Sequence, residues 1–474
     1  MRDAIDDIRE RGAELVIIGN GSALFARGFR EEFGLDCPMF VDPTLRSYRA
    51  AGLRRGHLEL FSPRLFVNGA RALRTGARQT GVHGDPWQLG GVFVVRPGNT
   101  VTYAHVSEVA GDHAPVEEIL AALDSSAHEV DVQEASSLPS YLAPLEPLMP
   151  LVGRALSLLV DPTIFLSFDR TGFLVHSLSF EPDDLEVDLT GRRCVVTGAS
   201  GGLGFETAMA LADLGAEVVM VCRSRERGEA AASRIREATE SRTVSVVECD
   251  LADLEAVRRT ATELCAETVD VLIHNAGLLP DEREITADGL EMTFAVHVVA
   301  PYILTELLVP ALERSEDPRV VFVSSGGMYA RKLSLEDLEW ETRDYDGVLA
   351  YAQTKRMQVI LAEVLAEELD GFGISVNSMH PGWADTPGVQ TSLPRFHEIT
   401  RRLLRTPAEG ADTIVWLAAS EGARGTTGKF FFDRQPRTTY LLPFTREDRH
   451  DRERLVAICE ELVSESPAFH DTAQ

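Results

Sequence analysis

The sequence predicts an α/β protein whose larger, C-terminal part is built on a Rossmann-type, doubly wound parallel sheet. Two observations support this fold class. The glycine run 197–204 follows the apolar stretch 193–196 and precedes the helical pattern 205–212, which is the order strand, turn, helix. Further along the chain, Tyr351 and Lys355 stand four positions apart in a helical pattern, so their side chains share one face.

The glycine run has the properties of a phosphate-binding turn. Gly198, Gly202 and Gly204 permit positive φ angles and close backbone approach, while the following helix presents unpaired N–H groups to a pyrophosphate. Ser200 and Leu203 lie in the same run and belong to the predicted cofactor loop. The spacing is Gly-x3-Gly-x-Gly rather than the commoner Gly-x-Gly-x2-Gly, so an ordinary tight turn is the alternative.

The residue after the second strand distinguishes two nicotinamide cofactors. The strand 216–222 is followed by Arg223, at a position where an aspartate or glutamate would accept hydrogen bonds from ribose hydroxyls. A guanidinium there binds a 2′-phosphate instead, so NADP is favoured over NAD. The alternative is a solvated arginine in a loop.

Tyr351 and Lys355 form a candidate acid/base pair. The Lys355 ammonium favours the ionised form of a nearby phenol, and this lowers the pKa of Tyr351. A phenol has an ordinary pKa of ~10, and a value of ~7 requires about 4 kcal/mol of differential stabilisation. One exposed lysine does not supply that much, so the positive ring of a cofactor and partial burial are implied.

The C-terminal part of the chain resembles the short-chain dehydrogenase/reductase family. The matching motifs occur in the family's order; they are residues 197–204, Asp250-Leu251, Asn275-Ala276-Gly277, Ser324-Ser325, Tyr351-x3-Lys355, and Pro381-Gly382 with Thr386. More narrowly, the stretches 324–328 and 380–389 resemble a dehydrogenase/reductase branch near the retinol dehydrogenases. The family transfers hydride between a nicotinamide cofactor and a carbonyl or alcohol.

This resemblance implies a role for each matching residue. Ser325 would hydrogen-bond the substrate oxygen, Tyr351 would transfer the proton, and Lys355 would bind the nicotinamide ribose and lower the tyrosine pKa. Ser324 is the alternative to Ser325 as the functional hydroxyl. The implied cofactor contacts are Asp250 and Leu251 at the adenine, Asn275, Ala276 and Gly277 at the central sheet, and Pro381, Gly382 and Thr386 beyond the last core strand.

His297 departs from the family pattern but is kept among the predicted catalytic positions. It stands in the stretch 294–300 where the family usually has an asparagine that holds a water of the proton relay. An imidazole hydrogen-bonds, yet it also gains charge near pH 6.5 and then repels Lys355. Two expectations compete: weak or pH-narrow activity, and a neutral histidine that substitutes adequately.

Two further segments are candidates for the substrate pocket. The acidic stretch 333–341 lies where retinol-dehydrogenase-like members have a comparable insertion; it borders the substrate mouth, forms a solvated surface, or does both. Trp383 and the phenylalanines 430–432 either line an apolar pocket or belong to the core, and core is favoured for the phenylalanines.

Composition narrows the class of protein. The chain has 474 residues, of which 44% are hydrophobic, and this is ordinary for a folded multi-domain protein. A formal charge of −28 argues against nucleic-acid binding. The six cysteines show neither paired nor metal-type spacing, so a reducing, cytoplasmic location without a metal site is expected. Charges and prolines interrupt every apolar run, so no membrane span is expected.

Residues 1–124 form a different and smaller unit. Strands are predicted at 13–19 and 38–41 around a helix at 23–33, followed by a hairpin of 91–95 with 100–105 and a helix at 115–123. This order, together with Phe40-Val41-Asp42-Pro43 and Gly111-Asp112-His113, resembles the latter part of a thioredoxin-like domain of the peroxiredoxin-like AhpC/TSA type. The initial strand and the Cys-x2-Cys helix of such a domain would precede Met1. The predicted domain is therefore incomplete and exposes a sheet edge.

Peroxide reduction is not expected of this N-terminal unit. The reaction needs a low-pKa thiolate, generally at a helix N-terminus, whereas the unit's only cysteine, Cys37, precedes a strand. Two explanations of the missing beginning stay open: a degenerate module, and a start codon assigned too far downstream.

Residues 125–160 are predicted to be a linker, which leaves 161–474 as the dehydrogenase domain. The stretch 142–168, which runs from the linker into the start of this domain, is unusually apolar, but prolines interrupt it. It would cover the substrate pocket, touch a membrane surface, or pack between domains, and packing is the default.

The expected function is NADP(H)-dependent hydride transfer to or from a small apolar carbonyl or alcohol. One alternative is a cofactor-binding scaffold or redox sensor whose active site has decayed at His297. Another is a fragment of a peroxiredoxin-like/reductase fusion. Because the family commonly forms dimers or tetramers, the resemblance also implies a homo-oligomer.

Overall fold

A computed structural model of the chain divides into two compact units, Met1–Gly153 and Arg154–Gln474, and each is considered by itself. The structure describes residues 4–20, 26, 29–30, 34–42, 46–53, 88–107, 114–125, 130, 149–161, 163–181, 183–239, 241–386, 388, 390, 397–398, 400–401, 403–441 and 445–464. The division falls inside the stretch predicted to be a linker.

The N-terminal unit contains two small sheets among its described residues. Its elements are α1 (Ile5–Glu10), β1 (Ile17–Gly19), β2 (Met39–Val41), α2 (Arg46–Ala50), β3 (Gly91–Arg96), β4 (Thr100–Val106) and α3 (Val116–Asp124). β1 pairs with β2 in parallel, and β3 with β4 as the predicted antiparallel hairpin. β1 is shorter than predicted, while most of the predicted helix 23–33 and all of Gly111-Asp112-His113 lie outside the described residues.

The C-terminal unit is built on one eight-stranded sheet. Its strands are β5 (Arg193–Thr197), β6 (Glu217–Cys222), β7 (Val244–Glu248), β8 (Val271–His274), β9 (Arg319–Val323), β10 (Ser375–Met379), β11 (Phe430–Phe432) and β12 (Gln435–Arg437). They are ordered β12-β11-β10-β9-β8-β5-β6-β7, and all neighbours are parallel except β11 and β12. The central strands are buried along almost their whole length because helices cover both faces of a parallel sheet. The predicted doubly wound sheet is confirmed.

The helices from residue 149 onward follow in chain order, and the first of them crosses the division between the two units. They are α4 (Met149–Val160), α5 (Ile164–Phe168), α6 (Arg170–Ser177), α7 (Gly202–Asp213), α8 (Arg225–Thr239), α9 (Leu254–Leu264), α10 (Met292–Leu312), α11 (Gly347–Glu368), α12 (Pro407–Ala419) and α13 (Arg449–Ser464). In the described part of the chain, α10 alone is long and apolar enough to cross a membrane by length and composition. Since 78% of its most apolar window is buried, it has the environment of a core helix.

The predicted linker ends in regular structure. α4 occupies its last residues, and Pro150 is tolerated because it stands in the first turn, where a helix needs no N–H donor. α5 and α6 follow directly, and the Asp169 carboxylate caps α6 by accepting from the N–H groups of Thr171 and Gly172. These helices therefore extend the C-terminal unit upstream of its first sheet strand.

A buried ionic clasp ties this extension to the end of the sheet. It consists of Asp161, His176, Arg405, Asp433 and Arg437. Asp433 lies 2.5 Å from Arg405 Nη1 and 2.6 Å from His176 Nδ1. Asp161 lies 2.9 Å from His176 Nε2 and 2.7 Å from Arg437 Nη1. His176, Arg405 and Asp433 are each at most 2% exposed, so water does not screen their charges.

The turn between β11 and β12 carries one end of the clasp. Asp433 and Arg434 both have positive φ angles, 49° and 57°, as a two-residue hairpin turn of type I′ requires. Neither is the glycine or asparagine that such a turn prefers. Ion pairs hold both residues in place, since Arg434 binds Asp184 and Asp412. The adjacent phenylalanines of β11 are at most 2% exposed, so they form core, as expected.

Candidate active site

The predicted site residues gather at the carboxyl edge of the sheet. β5 lies between β6 and β8, and the order of the strands reverses there. In open α/β sheets a ligand binds in the crevice beyond the strand ends at such a reversal. The loops after β5 to β10 carry most of the residues that the motifs had singled out, while His297, Tyr351 and Lys355 lie on helices.

The glycine turn after β5 packs against the loop after β8. Gly198 has a φ of +67°, and a Cβ added there would lie 2.8 Å from the Ala276 Cα. A Cβ on Gly204 would overlap the Asn275 side chain, whose Nδ2 donates to the Thr197 carbonyl at 2.9 Å. Larger side chains at 198 and 204 would therefore separate the two loops.

The start of α7 is open to an anionic ligand. Its N-cap is Gly201, which supplies no side-chain acceptor, and no acidic residue stands in the first turn. A Cβ on Gly201 would meet nothing within 4 Å, so no described protein atom fills the position of a side chain at this N-cap. Ser200, Gly202 and Leu203 lie in this turn, where a pyrophosphate would accept from the backbone. The chain therefore fits a dinucleotide at the predicted position.

The remaining predicted cofactor residues lie at neighbouring strand ends. Arg223 is exposed directly after β6, and no described residue forms an ion pair or hydrogen bond with its side chain. Asp250 and Leu251 follow β7; the Asp250 carboxylate accepts from the Ala252 N–H at 3.0 Å, and Leu251 is buried. Arg223 is thus available to a ligand, while Leu251 offers an apolar surface.

Beyond β10 the chain turns sharply at Pro381-Gly382. Gly382 has a φ of +71°, and its N–H donates to His380 Nδ1 at 3.1 Å. A Cβ at this position would overlap the Arg405 side chain. Pro381 and Thr386 are partly buried in the same loop.

Ser325 and Tyr351 are brought together as predicted. The Ser325 hydroxyl lies close enough to the Tyr351 phenol to lower its pKa by hydrogen bonding, and Ser325 Oγ accepts from the Gly327 N–H at 3.3 Å. Ser324, the alternative, donates its hydroxyl to the Lys355 carbonyl at 2.7 Å and is 2% exposed. The geometry therefore favours Ser325 over Ser324 as the group that meets a substrate.

Lys355 is buried beside the tyrosine but is not bonded to its hydroxyl. Its Nζ donates to the Val323 carbonyl and to Gln358 Oε1, both at 2.9 Å, and lies 5.6 Å from the centre of the Tyr351 ring. Burial lowers the pKa of Lys355 to about 7. A Cβ on Gly277 would lie 3.6 Å from Nζ, which places the predicted Asn275-Ala276-Gly277 loop against the lysine.

The expected effect of Lys355 on Tyr351 needs correction. Burial raises the pKa of Tyr351, and the hydrogen bond with Ser325 lowers it only in part, so the phenol stays protonated. The Lys355 ammonium does not lower this pKa here, because it is directed to Val323 and Gln358. The position of Lys355 and Tyr351 on one helix face did not by itself determine the direction of the flexible Lys355 side chain.

His297 is neutral, and the expectation of a charge near pH 6.5 is wrong. It lies fully buried in the π-helical turn Ala295–Val299 of α10. Leu278 N–H donates to its Nε2 at 3.0 Å, so the ring proton is on Nδ1, which donates to Thr354 Oγ1 at 2.9 Å. Burial and the nearby Lys355 charge hold the pKa of His297 well below 6.5. Both ring nitrogens are thus satisfied in one tautomer.

The pH–rate profile tests this assignment. We expect the wild-type protein and His297→Asn to have profiles of the same shape between about pH 5.5 and 7.5, because a buried neutral imidazole does not titrate there. The measurement is the rate with one carbonyl substrate and saturating NADPH. A decrease in rate below about pH 6.5 that only the wild type shows would mean that His297 does gain a charge and disturbs proton transfer.

Sequence reasoning missed Gln358 and Thr354. Gln358 is fully buried and gives Lys355 one of its two acceptors, while Thr354 holds His297. A usable signal existed for Gln358, since it is polar, stands three positions after Lys355 and shares its helix face. The acidic stretch is also more than a solvated surface, because Leu333, Leu335 and Trp340 are each below 10% exposed.

The N-terminal unit offers no comparable site in its described part. Cys37 is 4% exposed and packs in an apolar cluster with Ile5 and Leu35, rather than at a helix N-terminus. In the residues that the structure describes, no group of three or more His, Cys, Asp or Glu side chains is arranged to hold a metal.

Fold and site together define an oxidoreductase built on a dinucleotide-binding sheet. Residues 192–395 match the family described as short chain dehydrogenase, and residues 1–109 match the AhpC/TSA antioxidant enzyme family. Bovine dehydrogenase/reductase SDR family member 12 is 42% identical over 299 residues, which cover 62% of this chain and 94% of that protein. The chain belongs to the short-chain dehydrogenase/reductase family.

Other relatives carry related names. Human retinol dehydrogenase 13 is 35% identical over 253 residues, which cover 51% of this chain and 76% of that protein. Among solved structures, an uncharacterised protein from Mycobacterium paratuberculosis is 30% identical with a TM-score of 0.48. The matched part covers 58% of this chain and 95% of that protein. The N-terminal match is consistent with a thioredoxin-like origin of the smaller unit.

Proposed function

We propose that this chain catalyses NADP(H)-dependent hydride transfer to or from an apolar carbonyl or alcohol. The observation that carries the proposal is that Tyr351 lies together with Ser325, Lys355 and His297. These residues lie at the carboxyl edge of the sheet, which also carries the open N-terminus of α7. A proton donor and an anion-binding turn at one strand-end crevice are what this chemistry requires.

The protein's own groups act on the substrate oxygen. In the direction of reduction, the Ser325 hydroxyl donates a hydrogen bond to that oxygen, and Tyr351 transfers its proton to it. The raised pKa of Tyr351 keeps the phenol protonated and ready to donate. In the direction of oxidation the phenol must first lose its proton, and the raised pKa means that the protonated form, which reduction needs, is the resting form of Tyr351.

The cofactor would be held by groups already described. Backbone N–H groups at Gly202, Leu203 and Gly204 would bind the pyrophosphate, Arg223 the 2′-phosphate, and Lys355 the nicotinamide ribose. When bound, the nicotinamide supplies or accepts the hydride. The Lys355 ammonium uses two of its three N–H donors on Val323 and Gln358, so the third would be available to a ribose hydroxyl.

The substrate class rests on two supports. Several relatives are named retinol dehydrogenases, and retinol is an apolar alcohol. The loop after β10 also places Trp383 against a cluster of buried aromatic side chains near the site. We assign the catalytic domain to residues 161–474, with 125–160 as the connection and 1–124 as a thioredoxin-like unit without peroxidase activity.

Cofactor preference is the direct test of Arg223. NADPH is expected to bind at least ~10-fold more tightly than NADH, since a guanidinium and a phosphate form charge-assisted hydrogen bonds. Arg223→Asp should reverse the preference because it removes a phosphate partner and adds a repulsive charge. Fluorescence titration measures both affinities. Arg242→Asp, which changes an exposed arginine just before β7 and therefore at the opposite sheet edge, is the matched control and should leave the ratio unchanged.

Activity is tested by a screen of aldehydes, ketones and alcohols with NADPH and NADP+. Turnover of an apolar carbonyl that disappears in Tyr351→Phe would support the proposal. Tight NADPH binding without turnover of any compound would favour a cofactor-binding scaffold or sensor instead. The satisfied hydrogen bonds of His297 give no structural reason to expect a decayed site.

A further inference from the structure

Phe168, at the end of α5, lies against the loop that carries Ser325. A Cβ built on Gly326 would lie 2.5 Å from Phe168 Cε2 and 3.1 Å from its Cδ2. The edge of the phenyl ring thus occupies the space that a side chain at position 326 would need. Gly326 directly follows the serine that is proposed to hold the substrate oxygen.

The same residue also contacts the loop after β10. Its backbone carbonyl accepts from the Trp383 N–H at 2.8 Å, and the two ring centres are 6.1 Å apart at an interplanar angle of 88°. Phe168 therefore stands between the loops after β9 and β10. A substrate bound to Ser325 in the strand-end crevice has these two loops as its neighbours.

Arg405 fixes the position of this ring. Its guanidinium donates to the carbonyls of Ser167, Phe168 and Asp169 at 2.9, 3.1 and 3.1 Å. These bonds satisfy carbonyls at the end of α5 that have no partner within the helix. Arg405 is fully buried and paired with Asp433, so the cap is held by the ionic clasp. The position of Phe168 is therefore fixed by buried hydrogen bonds and by the ionic clasp.

We propose that Phe168 determines substrate specificity by limiting the bulk of the carbonyl compound beside Gly326. The proposal rests on the proposed reductase function. Since the ring presents an apolar edge, it excludes branched or cyclic groups attached to the carbonyl and admits narrow chains. One methylene more or less in an apolar pocket changes discrimination by about 10- to 200-fold, so loss of a whole ring should be readily measured.

The test compares kcat/KM for hexanal and cyclohexanecarbaldehyde with NADPH in wild type, Phe168→Ala and the milder Phe168→Leu. We expect the ratio of cyclic to linear aldehyde to rise at least ~10-fold in Phe168→Ala and less in Phe168→Leu. Phe173→Ala is the matched control. Phe173 is 9% exposed against 8% for Phe168, lies on the next helix and packs on Phe180 and beside Arg405. Its loss reports any effect transmitted through Arg405, and since no described contact joins its ring to Gly326, it should change the ratio much less than Phe168→Ala does.

A double substitution tests the contact itself. Gly326→Ala places a methyl group against the ring and should reduce kcat/KM for both aldehydes, while Gly326→Ala with Phe168→Ala should recover the linear aldehyde. An unchanged cyclic-to-linear ratio in Phe168→Ala that still binds NADPH would overturn the proposal.

A binding readout separates this inference from the proposed function. Calorimetric titration of both aldehydes into the NADP+-saturated protein gives a ratio of Kd values that does not depend on turnover. Binding without turnover would refute the reductase assignment, and the Kd ratio in Phe168→Ala would still decide the role of Phe168. Aldehyde affinities that are the same in wild type and Phe168→Ala would reject it.

Discussion

Replacing Tyr351 with phenylalanine is expected to reduce turnover by at least ~100-fold while the affinity for NADPH changes little. The substitution keeps the partly buried ring beside His297 but removes the proton that passes to the substrate oxygen. General acid catalysis of this kind contributes about 10²- to 10⁴-fold. Initial rates at saturating NADPH and a fluorescence titration of the cofactor measure the two quantities separately.

Tyr345→Phe is the matched control for this prediction. Tyr345 lies just before α11 and donates its hydroxyl to Glu291 at 3.0 Å, away from Ser325. Tyr345→Phe removes the same atom, a phenolic oxygen, as Tyr351→Phe does. Because this oxygen does not face the substrate, activity should fall by less than a few-fold. Undiminished turnover in Tyr351→Phe, or an equal loss in both variants, would show that Tyr351 is not the proton donor.

Asp433→Asn is expected to lower the free energy of unfolding by about 3–5 kcal/mol, since it leaves Arg405 buried without its anionic partner. The substitution also removes the charge that faces His176 at 2.6 Å. Urea unfolding followed by far-ultraviolet circular dichroism measures the loss. Glu453→Gln, in the exposed pair with Arg449, is the control and should change stability by less than about 0.5 kcal/mol.

The contribution of the clasp depends on pH in a defined direction. Burial lowers the pKa of His176, but its hydrogen bonds with Asp161 and Asp433 outweigh burial and raise it above 6.5. Protonated His176 therefore stabilises the fold fully below pH 6.5, and this part is lost as pH rises through the raised value. In Asp433→Asn the dependence should be weaker. A mutant that matches wild type in stability would show that the clasp adds nothing.

The local parts of this structure could be predicted from the sequence. The close turn at Gly198 and Gly204 was predictable from the glycines themselves. The strand before it and the helix after it were predictable from short-range hydrophobic patterns. The neighbourhood of Tyr351 and Lys355 was also predictable, because both lie on one helix. Such features depend on residues that are close in the chain.

The features that were missed depend on distant partners. His176 and Asp433 are separated by 257 positions, and Arg405 caps a helix that ends 237 positions earlier. No periodicity encodes these pairs. The charge of His297 could not be decided for the same reason, since its protonation is set by the Leu278 N–H and by burial rather than by its own sequence context. The direction of the Lys355 ammonium likewise depended on a distant acceptor, the carbonyl of Val323 in β9.

The ionic clasp also constrains how this sequence can change over generations. Asp433 serves Arg405 and His176 at once, and its loss leaves the buried Arg405 guanidinium without an anionic partner. His176 differs, because Asp161 is its second partner. Neutral drift at position 405 or 433 must then pass through a poorly folded intermediate, or both residues must be replaced in one step. Related chains that differ at one of these two positions should differ at both.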